Sequence, residues 1–423
     1  MLATVLARRL DRLGIHYGWV MLALTFVTLF CGSAVISLGG VLIDPVVTEF
    51  GWQRSDVSAA IGLLFFVFAC MAPFAGALML RYGVPRMAAT SATLVVVGMT
   101  ATTMVTERWH LLVTMGIVLG AAAGMGGAGL AATIASRWFV EKRGLAMGIL
   151  TSAFAAGQLV FLPTAAWLST TYGWRMAVLP VIVLNAICAI LYVLVGRSWP
   201  ADVDQPAYGE TKIVATVPSA DGAIALSLRA LKDASQVPMF WLLAGTFFIC
   251  GLSSNGMVQQ HFIPFCADNN IGAVVAASYL ALMGVCNFVG TIGSGWLSDR
   301  FDNRILLAVY YALRGVSLVW LPFSDFSVVA LTIWAIFFGL DFIATVPPTV
   351  RLAGQAFGPK MAPVVFGWIF AAHQVGASVA AYGSGASRDI LSTYLPAFIF
   401  AGTACFLAAA LFVGSRAARP QQV

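Results

Sequence analysis

Charged residues are scarce in this sequence. Asp, Glu, Lys and Arg make up 9% of its 423 residues, whereas hydrophobic residues make up 60%. A soluble domain typically carries roughly 25% charged residues, so this chain has too little charge to cover a water-facing surface. The composition therefore excludes an ordinary soluble enzyme or binding module, and it predicts a protein whose solvent is mostly lipid.

Recognisable catalytic and metal-binding motifs are also missing. No G-x-x-x-x-G-K-[ST] segment occurs, which argues against ATP hydrolysis by a P-loop in this chain. The four histidines lie far apart and form no H-E-x-x-H pattern, and the seven cysteines show no C-x-x-C spacing. These absences predict a chain that is not an enzyme and that binds no metal and no cofactor.

Long apolar stretches, in contrast, are abundant. A helix needs about 20 predominantly apolar residues to cross about 30 Å of hydrocarbon. No alternating strand pattern is present, so helices must satisfy the backbone in lipid. We predict an all-α membrane protein with 12 transmembrane helices, at residues 18–43, 56–79, 87–105, 110–135, 145–168, 175–196, 239–262, 274–297, 304–322, 327–349, 361–384 and 393–414.

Basic residues are concentrated in every second connection between these stretches. Of the 23 Lys and Arg residues, 18 lie at the termini or in the even-numbered connections, including Arg416 and Arg419. The positive-inside rule therefore places both termini in the cytoplasm. We expect a multi-pass protein of the plasma membrane, in a bacterium the inner membrane. The same placement explains the net charge of +6 without a nucleic-acid partner. The basic residues of the opposite connections are Arg54, Arg108, Arg175 and Arg388.

A polar segment divides the 12 stretches into two sets of six. We predict an N-terminal six-helix bundle at 1–196, a cytoplasmic linker at 197–237 and a C-terminal six-helix bundle at 238–423. The bundles look like copies offset by 219 residues, and parallel repeats around a central pathway are typical of secondary transporters. The matches at this offset pair Pro45 with Pro264, Gly76 with Gly295, Arg81 with Arg300, Gly148 with Gly367, and Gly157 with Gly376.

Several segments resemble one family. GWLSDRFDNR at 295–304 resembles the G-x-x-x-D-R-x-G-R loop motif of the major facilitator superfamily. HYGWVMLAL at 16–24, SRWFVEKRGLAMGI at 136–149 and FGWIFAAHQVGAS at 366–378 are similar to its bacterial branch related to monocarboxylate porters and oxalate/formate exchangers. The resemblance covers the whole chain. It implies the major facilitator fold and alternating access between two bundles.

The loop motif also supplies candidate gating residues. The resemblance implies that Asp299 closes the inner gate in the outward-facing state, and Gly295, Arg300 and Arg304 complete the motif. In the equivalent loop of the first bundle, Leu80 stands where the motif has its aspartate. The gate is therefore expected to be asymmetric, with a motif aspartate in the second bundle and none in the first.

Two charged residues lie deep in the predicted helices of the second bundle. Arg314 is ten residues from Arg304, and Asp341 is ten residues from Arg351, so both lie about 15 Å into the membrane. Charges at this depth are costly unless they are paired, and we predict an ion pair. Two roles stay open: a structural clamp between the ninth and tenth helices, or a pair that opens to hold an anion or pass a proton.

Polar residues of the second bundle correspond to apolar residues at the equivalent positions of the first bundle. His373 is about 20 Å from the membrane edge, and an imidazole can donate to a carboxylate or titrate near neutral pH. A hydrogen bond to a backbone carbonyl is the structural alternative. Subtracting 219 from Asn287 and His373 gives Phe68 and Phe154, which predicts charge recognition in the second bundle and an apolar wall in the first. The predicted substrate-binding residues are His373, Gln374, Gln158, Asn255, Asn287, Phe68 and Phe154.

These patterns predict a monomeric secondary active transporter of small organic acids, of the monocarboxylate type. Proton coupling through Asp341 or His373 is favoured, and the lipid bilayer is the other expected partner. The resemblance departs from the monocarboxylate porters in the eighth helix, which has no charge before Asp299, whereas the porters carry an aspartate–arginine pair there. A neutral or weakly charged solute, anion exchange and the export of drugs or amphipathic compounds stay open as alternatives. An integral membrane enzyme would need a clustered constellation that the sequence lacks.

Overall fold

Helices account for almost all of the regular structure. A computed structural model of the protein describes residues 2–213 and 222–415, and this part of the chain contains no β-strand, only an isolated bridge between Phe139 and Tyr208. Within these described ranges, twelve helices are long and apolar enough to cross a membrane, which agrees with the 12 predicted from sequence. Arg416, Arg419 and residues 214–221 of the predicted linker lie outside the described residues.

We number these membrane-crossing helices as spans 1 to 12. Most of the predicted boundaries lie within a few residues of the structural ones. Spans 7, 10 and 11 end six to nine residues after their predicted ends, and span 1 ends six residues before its predicted end. The spans are Gly18–Ser37, Arg54–Tyr82, Val84–Thr103, Arg108–Trp138, Arg143–Tyr172, Trp174–Val195, Pro238–Asp268, Ala273–Ser298, Asn303–Phe323, Val328–Gly358, Met361–Leu391 and Leu395–Gly414.

Shorter helices lie outside the spans. Leu2–Asp11 precedes span 1, and Gly39–Phe50 continues span 1 after a single intervening residue, Leu38. Between spans 6 and 7, a 3-10 turn at Pro200–Val203 is followed by the helix Ala223–Ala234. The predicted linker at 197–237 is therefore partly helical.

Several spans depart from regular α-helical geometry. Spans 4 and 7 contain wide π-helical segments at Leu112–Leu119 and Leu252–Val258. In span 10, the α-helix ends at Asp341 and resumes at Val346. Such breaks free backbone groups that lipid cannot satisfy, so neighbouring side chains must bond to them. The break in span 10 therefore constrains which side chains surround it.

The first six spans meet the last six along three lines of contact. Span 2 packs on span 11, span 5 packs on span 8, and the Gly39–Phe50 helix packs on the end of span 7. A Cβ atom on Gly40 would lie 2.7 Å from the carbonyl oxygen of Gln260, so this crossing requires glycine. These contacts hold the two sets of spans together around a central space.

The linker lies at one end of the molecule, which we call the linker end. Its first part is fixed to the first six spans: the Tyr208 amide donates to the Trp138 carbonyl at 2.9 Å, and the Pro206 carbonyl oxygen lies 2.9 Å from His16 Nε2. The helix Ala223–Ala234 contacts both sets, because Ser227 Oγ donates to the Pro73 carbonyl at 3.2 Å and its own carbonyl accepts from Trp368 Nε1 at 2.9 Å. The other end of the molecule is the opposite end.

A row of glycines in span 4 allows close packing inside the chain. Gly116 and Gly120 are spaced four residues apart and face span 2. A Cβ atom on Gly116 would lie 2.7 Å from a methyl carbon of Leu63, and one on Gly120 would lie 2.8 Å from both the Leu64 carbonyl oxygen and Val67 Cβ. Such spacing lets two helix backbones approach closely, so this face is used for packing within the molecule.

We predict that Gly120→Ala lowers the unfolding temperature relative to Gly148→Ala. Both substitutions gain the same helix propensity, but nothing lies within 4 Å of a Cβ atom at Gly148. Overpacking at Gly120 should cost about 1–3 kcal/mol. Thermal unfolding of the two purified variants in detergent measures the difference, and equal unfolding temperatures would contradict the packing role.

Candidate functional site

A large cavity lies between the two sets of spans and opens at the linker end. Its volume is about 1190 Å³, and its walls come from spans 2, 4, 5, 10 and 11 and from the linker. Ligand pockets commonly have volumes of about 300–1,000 Å³ and mostly apolar walls, so this space is large enough for a small organic molecule.

The cavity wall is mostly apolar, with charge confined to a few side chains. Three phenylalanines, Phe68, Phe366 and Phe370, lie on the wall together with small and aliphatic residues. Among the described residues that line it, the charged side chains are Arg137, Glu210 and Lys212. The wall therefore offers mostly apolar contacts, with charge at only a few positions.

His373 lies behind an aromatic cluster on the wall. Its ring stacks on Phe370, with centroids 5.7 Å apart and planes 7° from parallel, and it also contacts Phe247 at 4.8 Å. The Phe370 ring meets Phe68 of the first six spans at 5.8 Å. The histidine is 7% exposed, and its Nδ1 atom has no hydrogen-bond partner in the described part of the protein. The imidazole is therefore separated from the cavity by one aromatic layer.

A hydrogen bond between two glutamines joins the two sets of spans. Gln158 Nε2 of span 5 donates to Gln259 Oε1 of span 7 at 2.9 Å, and Ser37 Oγ lies 3.3 Å from the same nitrogen. Both glutamines are buried, and Gln259 Nε2 has no partner among the described atoms. An unpaired buried donor costs about 1–3 kcal/mol, so this position retains a binding capacity that the protein itself does not use.

Charged side chains hold the opposite end of the molecule closed. Arg54 of span 2 contacts Asp44 at 2.8 Å and Asp268 of span 7 at 2.9 Å. Asp268 also pairs with Arg388 of span 11 at 2.6 Å, and Asp389 accepts from the Ser55 amide at 2.7 Å. The Arg54–Asp268 pair and the Ser55–Asp389 bond cross between the two sets of spans, and the other two contacts brace them from within each set. The protein is therefore open at the linker end and closed at the opposite end.

Arg314 and Asp341 form an ion pair in the protein interior. Arg314 Nε donates to Asp341 Oδ2 at 2.6 Å, and the arginine is 0% exposed. Arg314 Nη2 also donates to the carbonyl oxygens of Asp341 at 2.6 Å and Phe342 at 3.2 Å, and Nη1 donates to Cys250 Sγ at 3.0 Å. The arginine therefore bonds to the backbone that the break in span 10 frees, in addition to pairing with the aspartate.

Asn287 also bonds to the broken segment of span 10. Its Oδ1 atom accepts from the Ile343 amide at 3.1 Å, and Ser294 Oγ of the same span donates to the Ala344 carbonyl at 2.5 Å. Asn287 was a predicted substrate-binding residue, but in this conformation its side chain satisfies the backbone and does not line the cavity.

The other predicted substrate-binding residues are distributed unevenly. Phe68 lines the cavity, whereas Phe154, Asn255 and Gln374 do not. Gln374 is buried beside His373 in span 11, and its Oε1 atom has no partner in the described residues. The structure thus brings Phe68 and His373 into one aromatic cluster, and it places Gln158 at the contact between the two sets.

The predicted gating residues make contacts within the last six spans. Asp299 pairs with Arg351 at the end of span 10, and both side chains are partly exposed. Arg300 Nη1 donates to the Trp296 carbonyl at 3.1 Å, and Arg304 Nη1 donates to the Ser415 carbonyl at 3.3 Å. At Gly295, a Cβ atom would meet nothing within 4 Å. None of these contacts joins the first six spans, as expected where the linker end is open.

Sequence reasoning missed three groups of site residues. The sequence patterns assign no role to Gln259, and they mark Arg54 and Arg388 only as exceptions to the charge bias. Arg137 was counted among the basic residues of its loop, yet it lines the cavity. The signal for Arg137 was present, because it lies within the segment 136–149 that carries the family resemblance.

We predict that Arg314→Gln and Asp341→Asn each destabilise the protein more than their combination does. Removing one partner leaves the other as an unpaired buried charge, which typically costs about 3–5 kcal/mol. The double variant removes both charges, so part of this cost should be recovered. A double-mutant cycle of unfolding temperatures measures the coupling, and additive effects would exclude a mutual dependence of the two side chains.

The sequence matches the family described as the Major Facilitator Superfamily over residues 21–381. Monocarboxylate transporter 13 of Rattus norvegicus is 25% identical over 393 residues, which cover 91% of this chain and 86% of that protein. The uncharacterized MFS-type transporter YcxA of Bacillus subtilis is 22% identical over 392 residues, which cover 89% of this chain and 90% of that protein.

A solved structure shares the fold at low sequence identity. The structure superposes on the partially occluded inward-open conformation of the xylose transporter XylE from E. coli with a TM-score of 0.69 and 14% sequence identity. The aligned region covers 94% of this chain and 99% of the XylE chain. This likeness concerns the fold alone. Because the family match spans most of the sequence, the chain belongs to the Major Facilitator Superfamily and is a membrane transporter rather than an enzyme.

Proposed function

We propose that this protein is a proton-coupled secondary transporter of small amphipathic organic acids. The observation that carries the proposal is the cavity of about 1190 Å³, which is apolar, open at one end and closed at the other. A substrate that enters at the open end needs the two sets of spans to rearrange before it leaves at the other. This is the requirement for alternating access around a central site.

The chemistry of the wall supports an organic acid. Phe68, Phe366 and Phe370 offer an apolar surface for the body of the molecule, and Arg137 and Lys212 offer positive charge at the linker end. Relatives named monocarboxylate transporters cover most of this chain at about 25% identity, which favours a monocarboxylate over other small anions.

Polar groups near the centre are proposed to contact the substrate or its proton. The Gln158–Gln259 bond provides amide groups at the contact between the two sets. In span 11, the buried Gln374 Oε1 atom has no hydrogen-bond partner among the described residues. Replacing the bond between the glutamines with bonds to a substrate would link occupancy of the site to separation of the sets. In this proposal Arg314 and Asp341 stabilise the break in span 10, and His373 is the favoured proton site.

The orientation follows from the distribution of basic residues. We place the linker end and both termini in the cytoplasm, with the bundles 1–196 and 238–423 on either side of the linker 197–237, in a bacterial inner membrane. The structure described above would then be the inward-facing state of a monomer. The Arg54–Asp268 bond would be an external closure, and the pair between Asp299 and Arg351 would be free to contact the first bundle when the inner side closes.

We expect an imposed pH gradient to drive the accumulation of monocarboxylates in proteoliposomes. Radiolabelled lactate and mandelate are suitable probes, because their hydroxyl groups slow passive crossing of the lipid. An acidic exterior should raise the initial uptake several-fold over that without a gradient, and lactamide and mandelamide should not accumulate.

Protein-free liposomes are the control for passive entry of the protonated acids. If uptake is unaffected by the pH gradient but rises when the liposomes are preloaded with unlabelled acid, the mechanism is anion exchange and not proton symport. A failure to transport any acid, together with transport of uncharged amides or organic cations, would contradict the proposed substrate class.

We predict that His373→Gln abolishes gradient-driven accumulation and leaves exchange of labelled for unlabelled acid largely intact. Imidazole ordinarily gains and loses a proton between pH 5 and 8, whereas an amide of similar polarity does not, and exchange needs no net proton movement. His110→Gln is the matched control, because His110 lies near the opposite end and hydrogen-bonds locally to Thr106. Full accumulation by the His373 variant would exclude this residue as the proton site.

A further inference from the structure

Arg137 occupies an unusual position at the open end of the cavity. It lies in the last turn of span 4, is half-buried, and lines the cavity beside Ser136 and Thr133. Its guanidinium carbon lies 4.0 Å from the centroid of the Trp199 ring. Trp199 belongs to the linker and also lines the cavity, so the linker holds this arginine in place by stacking.

The guanidinium makes few hydrogen bonds of its own. Arg137 Nη1 donates to the Ser198 carbonyl oxygen at a long 3.5 Å, and no carboxylate oxygen of the described residues lies within 4.0 Å of its side-chain nitrogens. An arginine has five N–H donors in a planar fork. Most of these donors therefore remain available on the side of the cavity.

Nearby polar groups are already engaged. Asp202, the acidic residue closest along the linker, accepts from the Ser198 and Trp199 amides, each at 3.0 Å, through Oδ2. The Gln205 side chain accepts from the Tyr17 amide at 3.1 Å and donates to Asp11 at 3.3 Å. The linker therefore orients Arg137 without forming an ion pair with it, and guanidinium N–H groups remain available to an anion in the cavity.

We propose that Arg137, stacked on Trp199, is the site that binds the substrate carboxylate at the linker end of the cavity. This inference rests on the proposed function for the substrate class. A planar guanidinium matches a carboxylate through two parallel N–H···O bonds, and stacking on an aromatic ring leaves the edge of the fork free for them. The apolar remainder of the acid then lies against the hydrocarbon wall of the cavity.

The site would also supply the positive charge for an acid in a chain whose span 8 carries no charged residue. The positive charge is supplied by span 4, which belongs to the first six spans, and it is oriented by the linker. Binding of the carboxylate at Arg137 would therefore occur where a substrate enters or leaves the cavity, before or after its contact with the central glutamines.

The test compares Arg137→Gln and Arg137→Lys with Arg86→Gln in vesicles of phosphatidylcholine alone, so that no anionic lipid headgroup competes. Arg86 is exposed at the same end and does not line the cavity, so its substitution removes one charge without touching the site. We expect the half-saturating concentration of mandelate to rise at least tenfold for Arg137→Gln and about threefold for Arg137→Lys, because lysine keeps the charge but loses the fork. The half-saturating concentration of mandelate should not change for Arg86→Gln.

A binding measurement separates recognition from folding. Mandelate should raise the unfolding temperature of the purified wild-type protein and of Arg86→Gln, and mandelamide should do so weakly in every variant. Arg137→Gln should unfold near the wild-type temperature without ligand and lose most of the shift with mandelate. Trp199→Leu should give an intermediate loss, because the arginine is then no longer held by stacking.

The outcomes distinguish this site from the proposed function. If the wild-type protein neither binds nor transports any of the acids, the substrate class is wrong and the site falls with it. If acids are transported and Arg137→Gln shows the wild-type concentration dependence, transport of acids stands and the carboxylate site at Arg137 is wrong.

Discussion

The break in span 10 is the constraint on which much of the interior depends. A helix that is interrupted in lipid exposes N–H and C=O groups that only neighbouring protein can satisfy. Here Arg314 bonds to the carbonyls of Asp341 and Phe342, and Asn287 accepts from the Ile343 amide. Removing these side chains would leave several buried backbone groups unpaired. The deep ion pair is thus part of a larger bonding network that allows a transport helix to be discontinuous.

The bonds between the two sets of spans differ at the two ends of the molecule. At the opposite end, Arg54 and Asp268 join the two sets of spans, and nearer the centre Gln158 and Gln259 do the same. At the linker end, Asp299 bonds within its own set. Opening the closed end requires the inter-set bonds to break, and closing the open end requires new ones. Because the cavity wall between the two ends is mostly apolar, the sets can separate there without exposing many polar groups.

Sequence reasoning predicted the spans well because lipid imposes a simple rule on composition and length. It also predicted that Arg314 and Asp341 meet, because equal distances from the membrane edge translate directly into equal depth. It missed Arg54 with Asp268 and Gln158 with Gln259, whose partners lie more than 100 residues apart. Such contacts depend on how the two sets of spans are docked in one conformation, and a pattern of apolar stretches carries no information about docking.

The cavity has a positive charge where the repeat did not lead us to expect one. Deep charges are confined to the second set of spans, which suggested that this set recognises an anion and that the first set is an apolar wall. Phe68 fits that wall, yet Arg314 is 0% exposed and directed at the backbone of span 10, whereas Arg137 of the first set lines the cavity. The depth of a charged residue in the membrane indicates that it needs a bonding partner, but it does not indicate which group is that partner. A basic residue near the end of a span, such as Arg137, is not recognised as a buried charge, because its position also fits the positive-inside rule. The proposed carboxylate site lies at such a position.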